Sequence, residues 1–443
     1  MSFRSPVAEV PSLPEVHRSI PIPNVKSFWR KLFAYLGPGY LVSVGYMDPG
    51  NWATDIAGGS KFGYALLSVV LLSNLMAMLL QSLCVRLGVA TGRDLAQMCR
   101  EQYSPRVNFV LWVLCEIAIA ACDLAELLGS AIALQLLFGL PLFWGVCLMG
   151  FDVIALLFLQ SKGFRYVESL VITLISIVAV CFVAEIVFSR PDVGGVLTGF
   201  LPQASIVKNS EMLYLAIGIL GATVMPHNLY LHSSIVQTRA FEQTIPKKRE
   251  AIKFGVIDST VALSFALLVN AAILIVAAAT FHVAGYHEVA DIQDAYKLLS
   301  PLLGVGAASA IFAFALLASG QSSTLTATLA GQIVMEGFLS LRMRPWARRL
   351  LTRSIAIVPA LITIVFFGEQ STGSLLVFSQ VVLSLQLSFA VFPLVMFTSD
   401  RRLMGKFASP TWLTIVSWAT AIVIAVLNAW LLWQTLTGWI FPG

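Results

Sequence analysis

Residues 41–54 read Leu41-Val-Ser-Val-Gly45-Tyr-Met-Asp48-Pro49-Gly50-Asn51-Trp-Ala-Thr54, an apolar run cut by an acid, a proline, a glycine and an amide. Proline removes a backbone donor and clashes with the preceding turn, and the glycine after it loosens the chain further. A helix through this stretch therefore breaks near Asp48. A second apolar run is cut in the same way at Gly221-Ala222-Thr223-Val224-Met225-Pro226-His227-Asn228. In each run the proline follows a residue able to bind a cation, Asp48 in one and Met225 in the other.

The runs around these breaks belong to an all-α integral membrane protein. Of the 443 residues 58% are hydrophobic and 12% charged, and the mean hydropathy is +0.84. Soluble domains carry roughly 25% charged residues. Eleven spans are expected, at 33–58, 62–86, 107–137, 141–160, 167–189, 211–236, 254–281, 302–337, 351–368, 373–398 and 411–436. Many approach the roughly 20 residues that cross a bilayer; the first, third and eighth are longer, which calls for breaks, tilt or extension. Before them lies a tail, residues 1–32, with Pro6, Pro11, Pro14, Pro21 and Pro23 and no signal-peptide core. It is expected to be cytoplasmic and disordered, and residues 33–443 to form the transport domain.

Charge sets the orientation. With the N-terminus in the cytoplasm, only Lys61, Arg190, Lys208 and Lys297 of the 28 basic residues fall outside, as the positive-inside rule demands. Eleven spans then leave the C-terminus extracytoplasmic. The net charge of +5 thus reports orientation in the lipid bilayer, and no nucleic acid is expected as a partner. The six cysteines form no CxxC or Cys/His pattern, so neither a structural zinc site nor a disulfide framework is expected.

Spans one and six are separated by an odd number of helices, so the second unit is inverted relative to the first. Broken helices at corresponding positions of inverted halves point to a midplane transport site. The plainer reading is two proline kinks with incidental polar neighbours, against which stands the rule that ionisable groups inside membranes are functional. Asp48 offers an anionic oxygen, Asn51 an amide oxygen, Met225 a thioether, and unwinding frees carbonyls near Gly45 and Ala222. Oxygens alone suit Mg²⁺ or Ca²⁺, whereas sulfur favours softer transition metals. Core packing is the commoner fate of a methionine; its place beside Pro226 favours the ligand.

Span three carries Glu116, Asp123 and Glu126 among apolar residues. Three buried carboxylates cannot all stay ionised without partners. They read either as a proton route or as a static ion-pair network. His227 adjoins the ion site; His232, five residues on, reads equally as a proton carrier or as a structural hydrogen-bonding residue.

Asp48-Pro-Gly-Asn51, Met225-Pro-His227 and the stretch from Ala318-Ser-Gly-Gln-Ser-Ser through Ala327 to Met-Glu-Gly337 resemble the signatures of the Nramp transporters, from about Phe33 to the end. The resemblance implies a LeuT-type fold with helices 1–5 and 6–10 as inverted repeats, about 33–189 and 211–398, and an extra helix at 411–436. It implies proton-driven import of Mn²⁺ and Fe²⁺, with Cd²⁺ and Co²⁺ accepted. It further implies Asp48, Asn51, Met225 and the Ala222 carbonyl as ligands, with Gly45 and Gln380 joining in some conformations. For protons it implies Asp48, Asp123 and Glu126 paired with Arg353, Arg349 being a weaker match. Ala327 departs from the glycine that many members carry, a change of little expected effect.

A sodium-coupled amino-acid carrier would need small residues around a substrate carboxylate, which an aspartate and a methionine at the site disfavour. A sensor would carry a large soluble extension. No nucleophile–base pair marks an enzyme. A multi-pass protein of a bacterial inner (plasma) membrane is expected, with no cofactor and no obligate protein partner.

Overall fold

A computed structural model of the protein describes residues 11–25, 27–150, 163–289, 291–341, 345–368 and 372–440. Its principal helices are α1 (Phe28–Tyr35), α2 (Pro38–Gly45), α3 (Pro49–Phe62), α4 (Leu67–Thr91), α5 (Leu95–Gln102), α6 (Pro105–Phe138), α7 (Leu142–Met149) and α8 (Phe164–Ser189). There follow α9 (Ser210–Thr223), α10 (Pro226–Ile235), α11 (Ile245–Ala277), α12 (Ile292–Leu303), α13 (Ala308–Leu339), α14 (Pro345–Phe367), α15 (Thr372–Ser399) and α16 (Thr411–Ile440). Span one is thus the broken pair α2–α3, and span six the broken pair α9–α10.

Eight helical stretches among the described residues are long and apolar enough to cross a membrane, and the shorter Ser354–Phe366 is apolar as well. The protein is therefore a multi-pass membrane protein. Half of the expected fourth span, 151–160 of 141–160, lies outside the described residues, and α7 occupies the described half. The expected eighth span began too early: residues 302–303 close the separate helix α12, Gly304 ends it with φ +67, and the spanning helix starts at Ala308. The apolar residues Leu302 and Leu303 hid that turn.

Span six is the most enclosed of the spans, with 94% of its apolar window buried inside the protein. Around it, α6 packs along α13 and α15, α11 lies against α2, α3 and α4, and α9 rests on α3 and α15. Both broken helices are thereby shut away from lipid, where unpaired backbone groups are tolerated.

The start of α2 is bolted down. Gly37 and Gly39 donate their N–H groups to the Asp258 carboxylate of α11, at 3.2 and 2.7 Å. Early N–H groups of a helix lack partners of their own, and a carboxylate there satisfies them. Gly37 has φ +140, and a side chain on it would overlap Glu168 and Arg239. Arg239 donates to Glu168 at 2.7 Å and to the Leu36 carbonyl at 2.7 Å, while Arg165 reaches the other Glu168 oxygen at 3.1 Å. Arg239 and Glu168 are both buried.

The expectation of a disordered tail fails for its described part; residues 1–10 lie outside the described residues. Leu13, Val16 and Ile20 are buried, and Ile20–Pro21 pairs in parallel with Arg239–Ala240. Ser12 Oγ donates to Asp94 Oδ2 at 2.6 Å, and the Leu13 N–H to Glu336 at 2.9 Å. Prolines forbid a helix here but not an extended strap, and three spaced apolar residues anchor it.

Asp94, between α4 and α5, also caps α5 by accepting from the Gln97 N–H at 2.8 Å. Burial pushes its carboxyl up to about 6. A carboxyl raised in the folded state stabilises most when protonated, and that contribution is lost as pH rises through about 6. Lowering the pH from 7 to 5.5 should therefore add about 1 kcal/mol to the stability of the folded state. Asp94→Asn should remove that pH-dependent part from thermal melts in detergent, while an unchanged pH dependence would contradict it.

Candidate ion site at two broken helices

The local sequence explains why each break exposes ligands. In a helix the carbonyl of residue i accepts from the N–H of residue i+4. Four residues after Gly45 stands Pro49, and four after Ala222 stands Pro226. Neither proline has an N–H, so both carbonyls lose their helical partner. Each proline instead opens the next segment, α3 or α10, at the first helical position where it is tolerated.

The residues before those prolines stand at the N-caps of α3 and α10. Asp48 caps α3, its Oδ1 accepting from the Asn51 N–H at 2.8 Å. Its other oxygen, Oδ2, is buried with no hydrogen-bond partner, and so is Asn51 Oδ1. Met225 precedes α10 in extended conformation, completely buried, in a cluster with Ala118, Cys122, Ala327 and Leu383. A buried polar atom without a partner costs about 1–3 kcal/mol. Two such oxygens, a buried thioether and two freed carbonyls are thus gathered at the paired breaks.

Gln380 of α15 completes the enclosure. Its amide lies directly against Gly50, where any Cβ would overlap it. Its Nε2 donates to Ser379 Oγ at 2.9 Å, and its Oε1 has no partner. Gly221 in turn presses on the Gln380 backbone and Ser384. Asp48, Asn51, Ala222, Met225, His227 and Gln380 are all buried, so the site is closed on every side. Among the described residues no three His, Cys, Asp or Glu side chains converge as a metal cluster.

The carboxylates of span three connect to this site through Cys122, whose Sγ lies 3.7 Å from His227 Nε2 and 3.5 Å from Glu126 Oε1. Asp123 and Glu126 are buried. Glu116 is partly buried and accepts from Trp112 Nε1 at 3.0 Å, one turn away on its own helix. Arg349 and Arg353 lie on α14, their side chains outside the described residues. His232 stands apart from these acids: its Nδ1 is 2.8 Å from Gln81 Oε1, and Gln81 Nε2 donates to the Tyr46 hydroxyl at 2.6 Å. That chain ties α10 to α4 and to the break in span one.

Sequence reading passed over three neighbours. Asn228 packs its amide on Gly45 with neither amide atom partnered. Thr223 Oγ1 is likewise buried and unpartnered, as is Asp55 Oδ2. Asn228 and Thr223 stood inside the quoted motif, and the signal was there to be read.

Two inverted broken helices enclosing unpartnered ligand atoms inside a membrane define a secondary transporter. Residues 39–434 match the Nramp family, described as "Natural resistance-associated macrophage protein-like", and the chain belongs to that family. It is 74% identical over 436 residues to the "Divalent metal cation transporter MntH" of Nostoc sp., covering 98% of this chain and 99% of the relative. The protein of the same description from Listeria monocytogenes is 63% identical over 427 residues, covering 96% of this chain and 95% of that relative. Among solved structures, a mutant of the Eremococcus coleocola manganese transporter superposes with a TM-score of 0.90 at 40% identity, covering 97% of this chain and 92% of that one. Mhp1, a nucleobase-cation-symport-1 family transporter, shares the fold alone, with a TM-score of 0.54 at 15% identity over 92% of this chain and 94% of that one. The expected LeuT-type architecture is thus confirmed. The relatives are transporters, not enzymes.

Proposed function

We propose that this protein imports divalent transition-metal ions, Mn²⁺ and Fe²⁺ foremost and Cd²⁺ and Co²⁺ as well, coupled to protons by alternating access. The observation that carries the reading is that the unpartnered Asp48 Oδ2 and Asn51 Oδ1 lie at one break and the buried Met225 thioether at the other. Hard oxygens capture the divalent charge, and sulfur tilts the choice toward transition metals. The names of the relatives, divalent metal cation and manganese transporters, agree with it.

In this reading Asp48, Asn51, Met225 and the Ala222 carbonyl hold the ion, with Gly45 and Gln380 closing on it. Asp48 exchanges a proton as well, and His227, Asp123, Glu126 and Glu116 lead inward toward Arg353 and Arg349; the hydrogen bond of His232 to Gln81 supports a structural part for that histidine. The protein sits in a bacterial inner membrane with its N-terminus cytoplasmic and its C-terminus outside.

Met225→Ala tests the selectivity half. In proteoliposomes with an inward proton gradient, the variant should lose discrimination of Mn²⁺ against Ca²⁺ and Mg²⁺ by at least about tenfold, roughly 1.4 kcal/mol. Retained discrimination would sink the role of sulfur, and Mn²⁺ uptake indifferent to the gradient would sink proton coupling.

A further inference from the structure

Asp55 takes no part in the site described so far, yet it is the most conspicuous unexplained group near it. It lies on α3, almost completely buried, and its Oδ2 has no hydrogen-bond partner. Residues 48, 51 and 55 follow the i, i+3, i+7 spacing that puts side chains on one helix face. Asp48 Oδ2, Asn51 Oδ1 and Asp55 Oδ2 therefore form a ladder of three unpartnered oxygens along one stripe. At 1.5 Å per residue, Asp55 stands about 6 Å along the axis beyond Asn51.

The far end of α3 gives this ladder a direction. Ser60 Oγ donates to the Val289 carbonyl at 2.9 Å in the loop between α11 and α12, and Lys61 pairs with the exposed Glu211 at the start of α9. Asp55 thus lies between the ion site and a surface end of the helix, opposite the end where α2 is bolted to Asp258. Its neighbour Thr54 packs on Gly218 of α9, and Gly59 presses on the Leu274 carbonyl of α11. A carboxylate sealed among helices with no partner is costly in a membrane protein unless a cation answers it.

We propose that Asp55 is an outer holding point for the incoming divalent ion, which rests on Asp55 and Asn51 before Asp48 and Met225 take it. The inference rests on the metal-transport reading above and names a further residue that touches the ion. Holding the cation there raises its occupancy next to the central site, so the carboxylate acts on capture at low outside concentration.

Initial rates of Mn²⁺ uptake into proteoliposomes test it, comparing wild type, Asp55→Asn, Asp55→Glu and Asp48→Ala across Mn²⁺ concentration. Asp55→Asn should raise KM at least tenfold, with the loss concentrated in KM rather than Vmax. Asp55→Glu, which keeps the carboxylate, should recover most of it. A residue needed only for packing would lower Vmax or protein yield at constant KM, and that result would overturn the proposal. Asp55→Ser serves the same comparison if the asparagine variant is unstable. Loss of uptake in Asp48→Ala with an unshifted KM in Asp55→Asn would reject the outer point alone, whereas a wild type that moves no Mn²⁺ would reject the transport reading itself.

Discussion

Asp48→Ala is expected to lower Mn²⁺ affinity about 100-fold or more, close to 3 kcal/mol. In the proposed site Asp48 is the one anionic group, and its buried Oδ2 has no hydrogen-bond partner. Removing one member of a buried charge pair costs about 3–5 kcal/mol, and in the proposed site the other member is the transported cation. Because Oδ1 also caps α3 through the Asn51 N–H, the alanine variant loses a cap worth about 1 kcal/mol as well. Asp48→Asn separates the two: it can still accept from the Asn51 N–H but brings no charge. Titration calorimetry with Mn²⁺ should show both variants weakened by similar factors. Affinity retained in Asp48→Asn would mean that the charge is not what holds the ion.

Arg239→Ala should act as strongly, on conformation rather than on the ion. Arg239 joins Glu168 of α8 to the Leu36 carbonyl just ahead of α2. Its loss leaves the buried Glu168 with Arg165 alone as an ion-pair partner, at up to about 3 kcal/mol, and loosens the entry to α2. The Asp258 bonds to Gly37 and Gly39, and Arg165 on the Leu36 and Ala34 carbonyls, then hold that helix without its buried guanidinium. The balance should move toward states open at this end. A Ser43→Cys reporter, buried in the closed form, should react with a membrane-impermeant maleimide at least tenfold faster in the Arg239→Ala background. Equal labelling rates would show that the cluster does not hold α2.

The sequence displayed the breaks and concealed what fastens them. Prolines at 49 and 226 announce themselves because their effect on a helix is local, and so the ligand side chains beside them could be named. The Asp258 clasp on α2 joins residues more than two hundred positions apart, and nothing in either segment's own pattern announces it. Gln380 entered through family resemblance, since a glutamine in an apolar span has no signature of its own; its contact with Gly50 needs the fold. The strap at residues 11–25 is hard to read in sequence because its prolines suggest disorder, while its anchors Leu13, Val16 and Ile20 are too widely spaced to form an apolar run. Asp55 falls inside the expected first span but has no proline beside it to mark it; its burial without a partner shows only in the packed structure.

The central claim is that the two breaks together form one site for a transported divalent metal. Mn²⁺ uptake into proteoliposomes under an inward proton gradient, run side by side for wild type, Asp48→Ala and Met225→Ala, addresses it most directly. The account predicts saturable uptake by the wild type, none above background for Asp48→Ala, and uptake with degraded selectivity for Met225→Ala. Wild-type rates of Mn²⁺ transport in Asp48→Ala would contradict it.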